Sequence, residues 1–148
     1  MSNIKLKENE LTGFSKLILE KLRKEENKAT TICLYGVLGS GKTTFTKYLG
    51  NNLGIKENIT SPTFLLIKKY NIPKKEFGFK NLYHVDAYRL ESGKDLENLN
   101  INKIINNSDN LVIIEWPEKV KKILPKNCIK INFEHGKNPN KRIIKYSI

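Results

Sequence analysis

The sequence predicts an α/β protein of three layers, in which helices cover a mixed central sheet. Two apolar runs, "TTICLYG" (30–36) and "NLVIIEWP" (110–117), have the continuous pattern of strands that are buried on both faces. Helical patterns lie between the strand-like runs, and two strand–turn–strand patterns predict antiparallel hairpin additions. At 148 residues, we expect a single domain that spans 1–148.

The predicted elements follow one another without a repeat or a low-complexity segment. Each is placed by the spacing of its apolar residues, and glycine or proline marks several boundaries. In chain order they are a helix in 8–24, a strand in 30–36, a helix in 42–54, a hairpin of strands in 60–72 and 79–90, a helix in 94–105, a strand in 110–117, a short helix in 117–124, and two final strands in 127–148 joined by a turn rich in Gly, Asn and Pro.

Composition excludes several classes of protein. No apolar run approaches the ~20 residues of a membrane helix, and "MSNIKLKENEL" lacks the apolar core of a signal peptide. Cys33 and Cys128 lie in apolar runs without metal-type spacing, so we expect buried thiols in a reducing compartment. These features predict a cytoplasmic protein with no membrane contact.

The formal net charge of +12 points to nucleic acid. However, only three of the 27 basic residues are arginine. Surfaces that bind phosphate groups usually favour arginine, because its guanidinium group makes bidentate hydrogen bonds. Lysine is abundant together with asparagine and isoleucine, which indicates a general bias of composition. We therefore expect the charge to help the protein approach an RNA-bound complex, and we do not expect RNA binding to be its main role.

The segment "GVLGSGKT" (36–43) matches the phosphate-binding pattern G-x-x-x-x-G-K-[ST] between a predicted strand and a predicted helix. Backbone N–H groups of such a loop surround phosphate oxygens, and the helix N-terminus adds partial positive charge. Lys42 is expected to reach the terminal phosphates in a catalytic role, and the Thr43 hydroxyl to bind Mg²⁺. The motif predicts a P-loop NTPase fold with nucleotide contacts at Gly39, Ser40, Gly41, Lys42, Thr43 and Thr44.

A P-loop enzyme also needs an acidic residue at the end of a second buried strand to hold Mg²⁺. Asp86, after "LYHV", and Glu115, after "LVII", both qualify. Glu115 has the cleaner pattern, because a helix that starts at Pro117 would fix where its strand ends. Other roles stay open: a solvent-facing charge for Glu115, and a cap or a structural partner of Arg89 for Asp86.

Two further segments carry hydroxyl and titratable groups. The loop "ITSPTF" holds the hydroxyls of Thr60, Ser61 and Thr63 and could close on a γ-phosphate, although the pattern alone is better explained by a plain Ser-Pro turn. In "YHVDAYRL" (83–90), strand alternation places His84, Asp86 and Tyr88 on one face. We expect Asp86 near the γ-phosphate or its attacking water, oriented by a packed, hydrogen-bonded His84 and by Tyr88.

Four segments together resemble the TsaE (YjeE) family, the P-loop ATPases of bacterial tRNA threonylcarbamoyladenosine synthesis. In chain order they are "GVLGSGKTTF", "TSPTF", "YHVDAYRL" and "IEWPE". The resemblance implies that ATP and Mg²⁺ are the cofactors, with the metal bound through Thr43 and Glu115. It also implies that Asp86 and Trp116 matter for hydrolysis or for the response to nucleotide, and that Thr12 approaches the nucleotide.

The resemblance further implies how such a protein would act. It would not itself transfer threonylcarbamoyl. It would bind a heterodimer of the TsaB–TsaD type, use ATP turnover to reset that complex, and meet tRNA through it, while hydrolysing ATP weakly alone. The chain departs from the family at Val37, where an acidic residue is usual, and at Asn100, where glycine is usual. Neither change removes a phosphate or metal ligand.

Three other functions remain as alternatives. A small P-loop kinase of a nucleoside or other small molecule commonly brings several arginines onto the phosphoryl group, and this chain has Arg89 and Arg142 to offer. A GTPase would need an N-K-x-D segment, which "NKII" (102–105) does not supply. An RNA-binding adaptor would need aromatic platforms between basic residues, whereas the aromatic residues here fall mostly in predicted strands.

Overall fold

A computed structural model describes residues 1–138 and 140–148. Strands and helices alternate along most of this part of the chain, and short 3₁₀ segments lie at 8–10, 75–77 and 117–123. The strands are β1 (Ser2–Lys7), β2 (Thr30–Tyr35), β3 (Ile67–Asn71), β4 (Asn81–Asp86), β5 (Asn110–Glu115), β6 (Ile129–His135) and β7 (Lys141–Ser147). The helices are α1 (Leu11–Lys21), α2 (Lys42–Asn52), α3 (Lys94–Asn98) and α4 (Ile101–Ile105).

The described strands form one mixed sheet in the order β1-β7-β6-β2-β5-β4-β3. The centre is parallel, because β6, β2, β5 and β4 pair in the same direction. Antiparallel pairs complete both edges, with β7 and β1 on one side and β3 on the other. The predicted α/β fold with a mixed sheet and antiparallel additions is therefore confirmed.

Two apolar clusters give the structure its three layers. Alternate residues of β5 enter different clusters: Ile113 packs with the first, and Ile114 with the second. The first cluster includes Phe14 of α1 and Phe45 of α2, whose ring centroids lie 5.8 Å apart. The second includes Leu96 of α3 and residues of α4. Burial on both faces explains the unbroken apolar run of β5.

Two predicted elements have different boundaries in the structure for local reasons. The strand predicted from residue 60 begins at Ile67, because Leu66 has a φ of 63° and breaks the extended backbone. The helix predicted in 94–105 is divided at Asn100, which has a φ of 59°. The strand predicted in 79–90 ends at Asp86, so Tyr88 lies beyond it and not on its face. Strand β1 was not predicted at all. The turn predicted before the last strand includes Pro139, which lies outside the described residues.

Within the described ranges, no helix has both the length and the apolar character that a membrane span requires.

Candidate nucleotide site

The first residue of the loop between β2 and α2 has a backbone conformation that only glycine can adopt. Gly36 has a φ of 134°, and a Cβ atom there would lie 2.4 Å from the carbonyl oxygen of Phe133. Gly41, at the start of α2, has a φ of 109°. These angles are rare for residues with side chains, so the spacing of the motif reflects the shape of the turn.

Lys42 lies inside this loop and is almost fully buried. Its ammonium donates hydrogen bonds to the carbonyl oxygens of Gly36 (2.6 Å) and Val37 (3.0 Å). The ammonium also lies 4.2 Å from the centre of the Trp116 ring. Burial lowers the pKa of Lys42 from its usual value, and the charge of Glu115 partly opposes this effect.

Thr43 and Glu115 meet beside the loop. The Thr43 hydroxyl lies 2.9 Å from Oε1 and 3.1 Å from Oε2 of Glu115. Glu115 ends β5 and is 3% exposed, so the alternative of a solvent-facing charge at this strand end is wrong. The sheet brings the two residues together because β2, which leads into the loop, pairs in parallel with β5.

The oxygen atoms at this position suit Mg²⁺. This cation prefers oxygen ligands, and it is usually held by one or two carboxylates together with substrate phosphates and water. The described residues contain no group of three or more His, Cys, Asp or Glu that could enclose a metal. A site shared between Thr43, Glu115 and phosphate oxygens therefore fits the chemistry of the donors better than an all-protein cage.

Asp86 ends the neighbouring strand β4 and has a different set of partners. Its Oδ2 accepts hydrogen bonds from Ser61 and from Thr63 at 2.9 Å, and its Oδ1 accepts one from the backbone N–H of Tyr88 at 2.9 Å. Asp86 is 3% exposed. The loop hydroxyls therefore face a carboxylate, and the segment is more than a plain Ser-Pro turn.

Arg89 and His84 were both considered as partners of Asp86, but in the structure they contact other residues. Arg89 lies over the Phe64 ring, with 4.4 Å between its guanidinium carbon and the ring centre. His84 is fully buried and hydrogen-bonded, as expected, but its Nε2 lies 2.8 Å from Oε1 of Glu115. Residues 84 and 115 share a face of the sheet, since Asp86 and Glu115 are directly paired in register. The histidine therefore contacts the other carboxylate.

A cavity of about 290 Å³ opens beside the glycine loop between β2 and α2. The ends of β4 and β5, the start of α2 and the segment before α1 surround this cavity. Predicted site residues that line it are Gly39, Gly41, Lys42, Thr43, Thr44, Asp86, Glu115 and Trp116. Other lining residues are Glu8, Leu11, Leu38, Ser61, Thr63, Tyr88 and Arg142.

Two predicted residues are absent from the lining. Thr12 is exposed, and its carbonyl oxygen accepts hydrogen bonds from Ser15 and Asn52; its neighbour Leu11 lines the cavity instead. Ser40 is fully buried, and its hydroxyl has no hydrogen-bond partner among the described residues. Nucleotide contact by either residue stays a prediction.

Arg142 and Glu8 also line the cavity; from the sequence, Arg142 was considered only under the kinase alternative, and Glu8 was not named. Arg142 reaches the cavity from β7, far along the chain, and its Nε lies 3.8 Å from the position of a Cβ on Gly41. No local pattern around Arg142 indicates this placement. Glu8 lies four residues before Thr12. The family resemblance, which implies that Thr12 approaches the nucleotide, could therefore have indicated that Glu8 lies near the site.

Trp116 closes one side of the cavity. It follows β5 directly and has a φ of 59°, which is unusual for a large side chain. Its ring packs against Tyr88 with 5.0 Å between centroids. A strained residue at the end of a central strand, next to a phosphate loop, is typical of a functional position.

The fold and the site define a P-loop protein: a glycine loop joins a central parallel strand to a helix, and a neighbouring strand ends in a carboxylate that contacts the loop threonine. The family described as "Threonylcarbamoyl adenosine biosynthesis protein TsaE" matches residues 7–144. The chain belongs to this family.

Individual relatives agree. The chain is 40% identical over 118 residues to the tRNA threonylcarbamoyladenosine biosynthesis protein TsaE of Haemophilus influenzae, with 80% of this chain and 70% of that protein covered. It is 35% identical over 135 residues to the protein of the same name from Rickettsia prowazekii, with 90% and 85% covered. The crystal structure of Bacillus subtilis YdiB has the same fold, with a TM-score of 0.72, 24% identity, and 98% of this chain and 84% of that chain covered.

Proposed function

We propose that this chain is the ATP-binding and ATP-hydrolysing component of the bacterial machinery that makes N6-threonylcarbamoyladenosine in tRNA. The curated relatives are named for biosynthesis of this modified base. The observation that carries the ATPase part of the proposal is the contact between Thr43 and Glu115 at the phosphate loop. A hydroxyl and a carboxylate in this position are the usual protein ligands of Mg²⁺ in P-loop enzymes.

In the proposed mechanism, the residues of the loop bind and orient the phosphates. The loop amides and the Lys42 ammonium would donate hydrogen bonds to the phosphate oxygens, in place of those that Lys42 donates to the loop carbonyls here. Thr43 and Glu115 would hold Mg²⁺, which when bound neutralises charge on the phosphates. Asp86 would orient the attacking water. The hydroxyls of Ser61 and Thr63 would contact Asp86 only when the loop that carries them is closed.

We propose that hydrolysis by the protein alone is slow and that a TsaB–TsaD-type pair accelerates it. Among the described residues, the cations that line the cavity are Lys42 and Arg142, whereas Arg89 lies over the ring of Phe64. Few cations of this part of the chain are therefore arranged to stabilise charge on a transferring phosphoryl group, which is where P-loop enzymes gain much of their rate. In this proposal the chain acts as a single domain in the cytoplasm and meets tRNA through the partner complex.

The test is ATPase rate and Mg²⁺-dependent nucleotide affinity, measured with and without a TsaB–TsaD pair. We expect weak turnover alone and a clear increase with the pair. Phosphoryl transfer to a nucleoside or a sugar, unaffected by the pair, would favour the kinase alternative, for which Arg142 in the cavity is the supporting feature. Binding to free tRNA with a steep salt dependence would show that the basic surface contacts RNA directly.

A further inference from the structure

His84 is a buried polar residue that the proposed mechanism leaves without a role. It is fully buried in β4, and its Nε2 lies 2.8 Å from Oε1 of Glu115. Its other ring nitrogen, Nδ1, is also buried and has no hydrogen-bond partner in the described part of the chain. A buried nitrogen without a partner costs stability. An apolar side chain would avoid that cost, so packing alone does not explain the residue.

The contact with Glu115 determines how the ring is protonated. An ionised carboxylate is only an acceptor, so the ring nitrogen that faces it must carry hydrogen. The neutral imidazole with hydrogen on Nε2 leaves a lone pair on Nδ1. The other neutral form would place two acceptors face to face at 2.8 Å. The contact therefore requires hydrogen on Nε2 of His84.

We propose that His84 is a positioning residue for the metal ligand Glu115. Thr43 faces the carboxylate from α2, while His84 holds Oε1 from β4. With one oxygen fixed from the sheet, the carboxylate keeps its orientation when the Thr43 hydroxyl turns from the carboxylate to the metal. Hydrogen bonds that orient a metal ligand in this way typically change metal affinity by about 10- to 100-fold. This inference rests on the Mg²⁺ site of the proposed function.

Two variants separate positioning from packing. In His84→Gln, the side-chain amide nitrogen occupies nearly the place of Nε2 and can still donate to Glu115. In His84→Asn, the amide nitrogen falls near the place of Nδ1 and cannot reach the carboxylate. Both variants replace the ring with a smaller polar group, so a purely structural role predicts a similar loss of thermal stability and no difference between them in Mg²⁺ dependence.

The readout is the Mg²⁺ concentration that gives half of the metal-dependent gain in affinity for a fluorescent nucleotide. We expect His84→Asn to raise it by roughly 10- to 100-fold, and His84→Gln to stay near the wild type, while affinity without Mg²⁺ changes little in either. Equal behaviour of the two variants would overturn the proposal. If the wild type itself showed no Mg²⁺ dependence, the metal site of the proposed function would fail, and this inference with it.

A second readout needs neither metal nor nucleotide. The chain contains two histidines, and His135 is exposed, so ¹⁵N shifts of the ring nitrogens can be assigned with a His135→Gln variant. We expect the shifts of His84 to report hydrogen on Nε2. A bare Nε2 with hydrogen on Nδ1 would contradict the assigned geometry.

Discussion

Glu115 and Asp86 are equally buried carboxylates, but they are held in different ways. They end neighbouring parallel strands, are paired in register, and are each 3% exposed. The partners of Glu115 come from regular elements, α2 and β4. Two partners of Asp86 are hydroxyls of a loop whose neighbouring residue, Phe64, is 85% exposed.

Two equally buried carboxylates can therefore be held with different rigidity. A carboxylate held by a helix and a strand suits an ion that needs constant geometry. A carboxylate held by an exposed loop is suited to change partners when the loop moves. Substitutions on either side of the site, and at Lys42 near both carboxylates, can test this difference.

Replacement of Lys42 by alanine is expected to have the largest effect. The charges of Glu115 and Asp86 both act on this ammonium, so its loss disturbs both halves of the site. A hydrogen bond to a charged group contributes about 1.5–3 kcal/mol, so nucleotide affinity should fall roughly 10- to 100-fold and turnover should be lost. Lys47→Ala, at an exposed position of the same helix, is the control. Unchanged affinity and turnover would exclude this loop as the phosphate site.

Replacement of Asp86 by alanine should separate hydrolysis from metal binding. We expect turnover to fall roughly 10²-fold, the lower end of what a positioned proton-transfer group contributes, while Mg²⁺-dependent affinity changes little. The loop should also open more often, which hydrogen exchange at the Leu66 amide, bonded to the Pro62 carbonyl, would detect. Asp95→Ala at an exposed site is the control. A loss of metal dependence would assign Asp86 to the metal.

A milder form of the same change is Thr63→Val, which keeps the shape of the side chain and removes one donor to Asp86. A hydrogen bond to a charged group is worth about 1.5–3 kcal/mol, but Ser61 still donates to the same oxygen, so turnover should fall by roughly 10-fold. Thr60→Val provides the matched control, because Thr60 is exposed and does not line the cavity. If both variants had the same turnover, the loop hydroxyls would not act through Asp86.

The smallest effect is expected at Cys128, which belongs to neither set of carboxylate partners. This thiol is half-buried, so the prediction of two buried thiols holds only for Cys33. A hydrogen bond from the Cys33 thiol lowers the pKa of Cys128 to about 7. Above that pH the thiolate predominates, so alkylation by iodoacetamide should rise with pH and reach half of its maximal rate near pH 7. Cys33→Ala removes the donor and should move the midpoint upwards. The same midpoint in Asp86→Ala as in the wild type would show that loss of Asp86 acts locally.

Much of this architecture is predictable, because the signals for it are local. The apolar run before Glu115 and the glycine spacing around Lys42 each report nearby backbone and burial, and they placed β5 and the phosphate loop correctly. Hydroxyls near Asp86 were visible in the sequence, but a turn explained them equally well. The hydrogen bonds from these hydroxyls to Oδ2 of Asp86 show that they do more than form a turn.

Other features depend on contacts between distant parts of the chain. His84 was placed on the correct face of β4, yet its partner is set by the neighbouring strand β5, which no pattern within 83–90 reveals. Arg142 reaches the cavity from β7 in the same way. Strand β1 is stabilised by pairing with β7 at the sheet edge, and its largely exposed side chains give little apolar signal.

The most direct test of the proposed roles compares Glu115→Ala with Asp86→Ala in a single Mg²⁺ titration of nucleotide affinity. We expect the Glu115 variant to lose most of the metal-dependent gain, because one of the two proposed protein ligands is gone. The Asp86 variant should keep most of that gain. The reverse order would contradict these roles and exchange them between the two carboxylates.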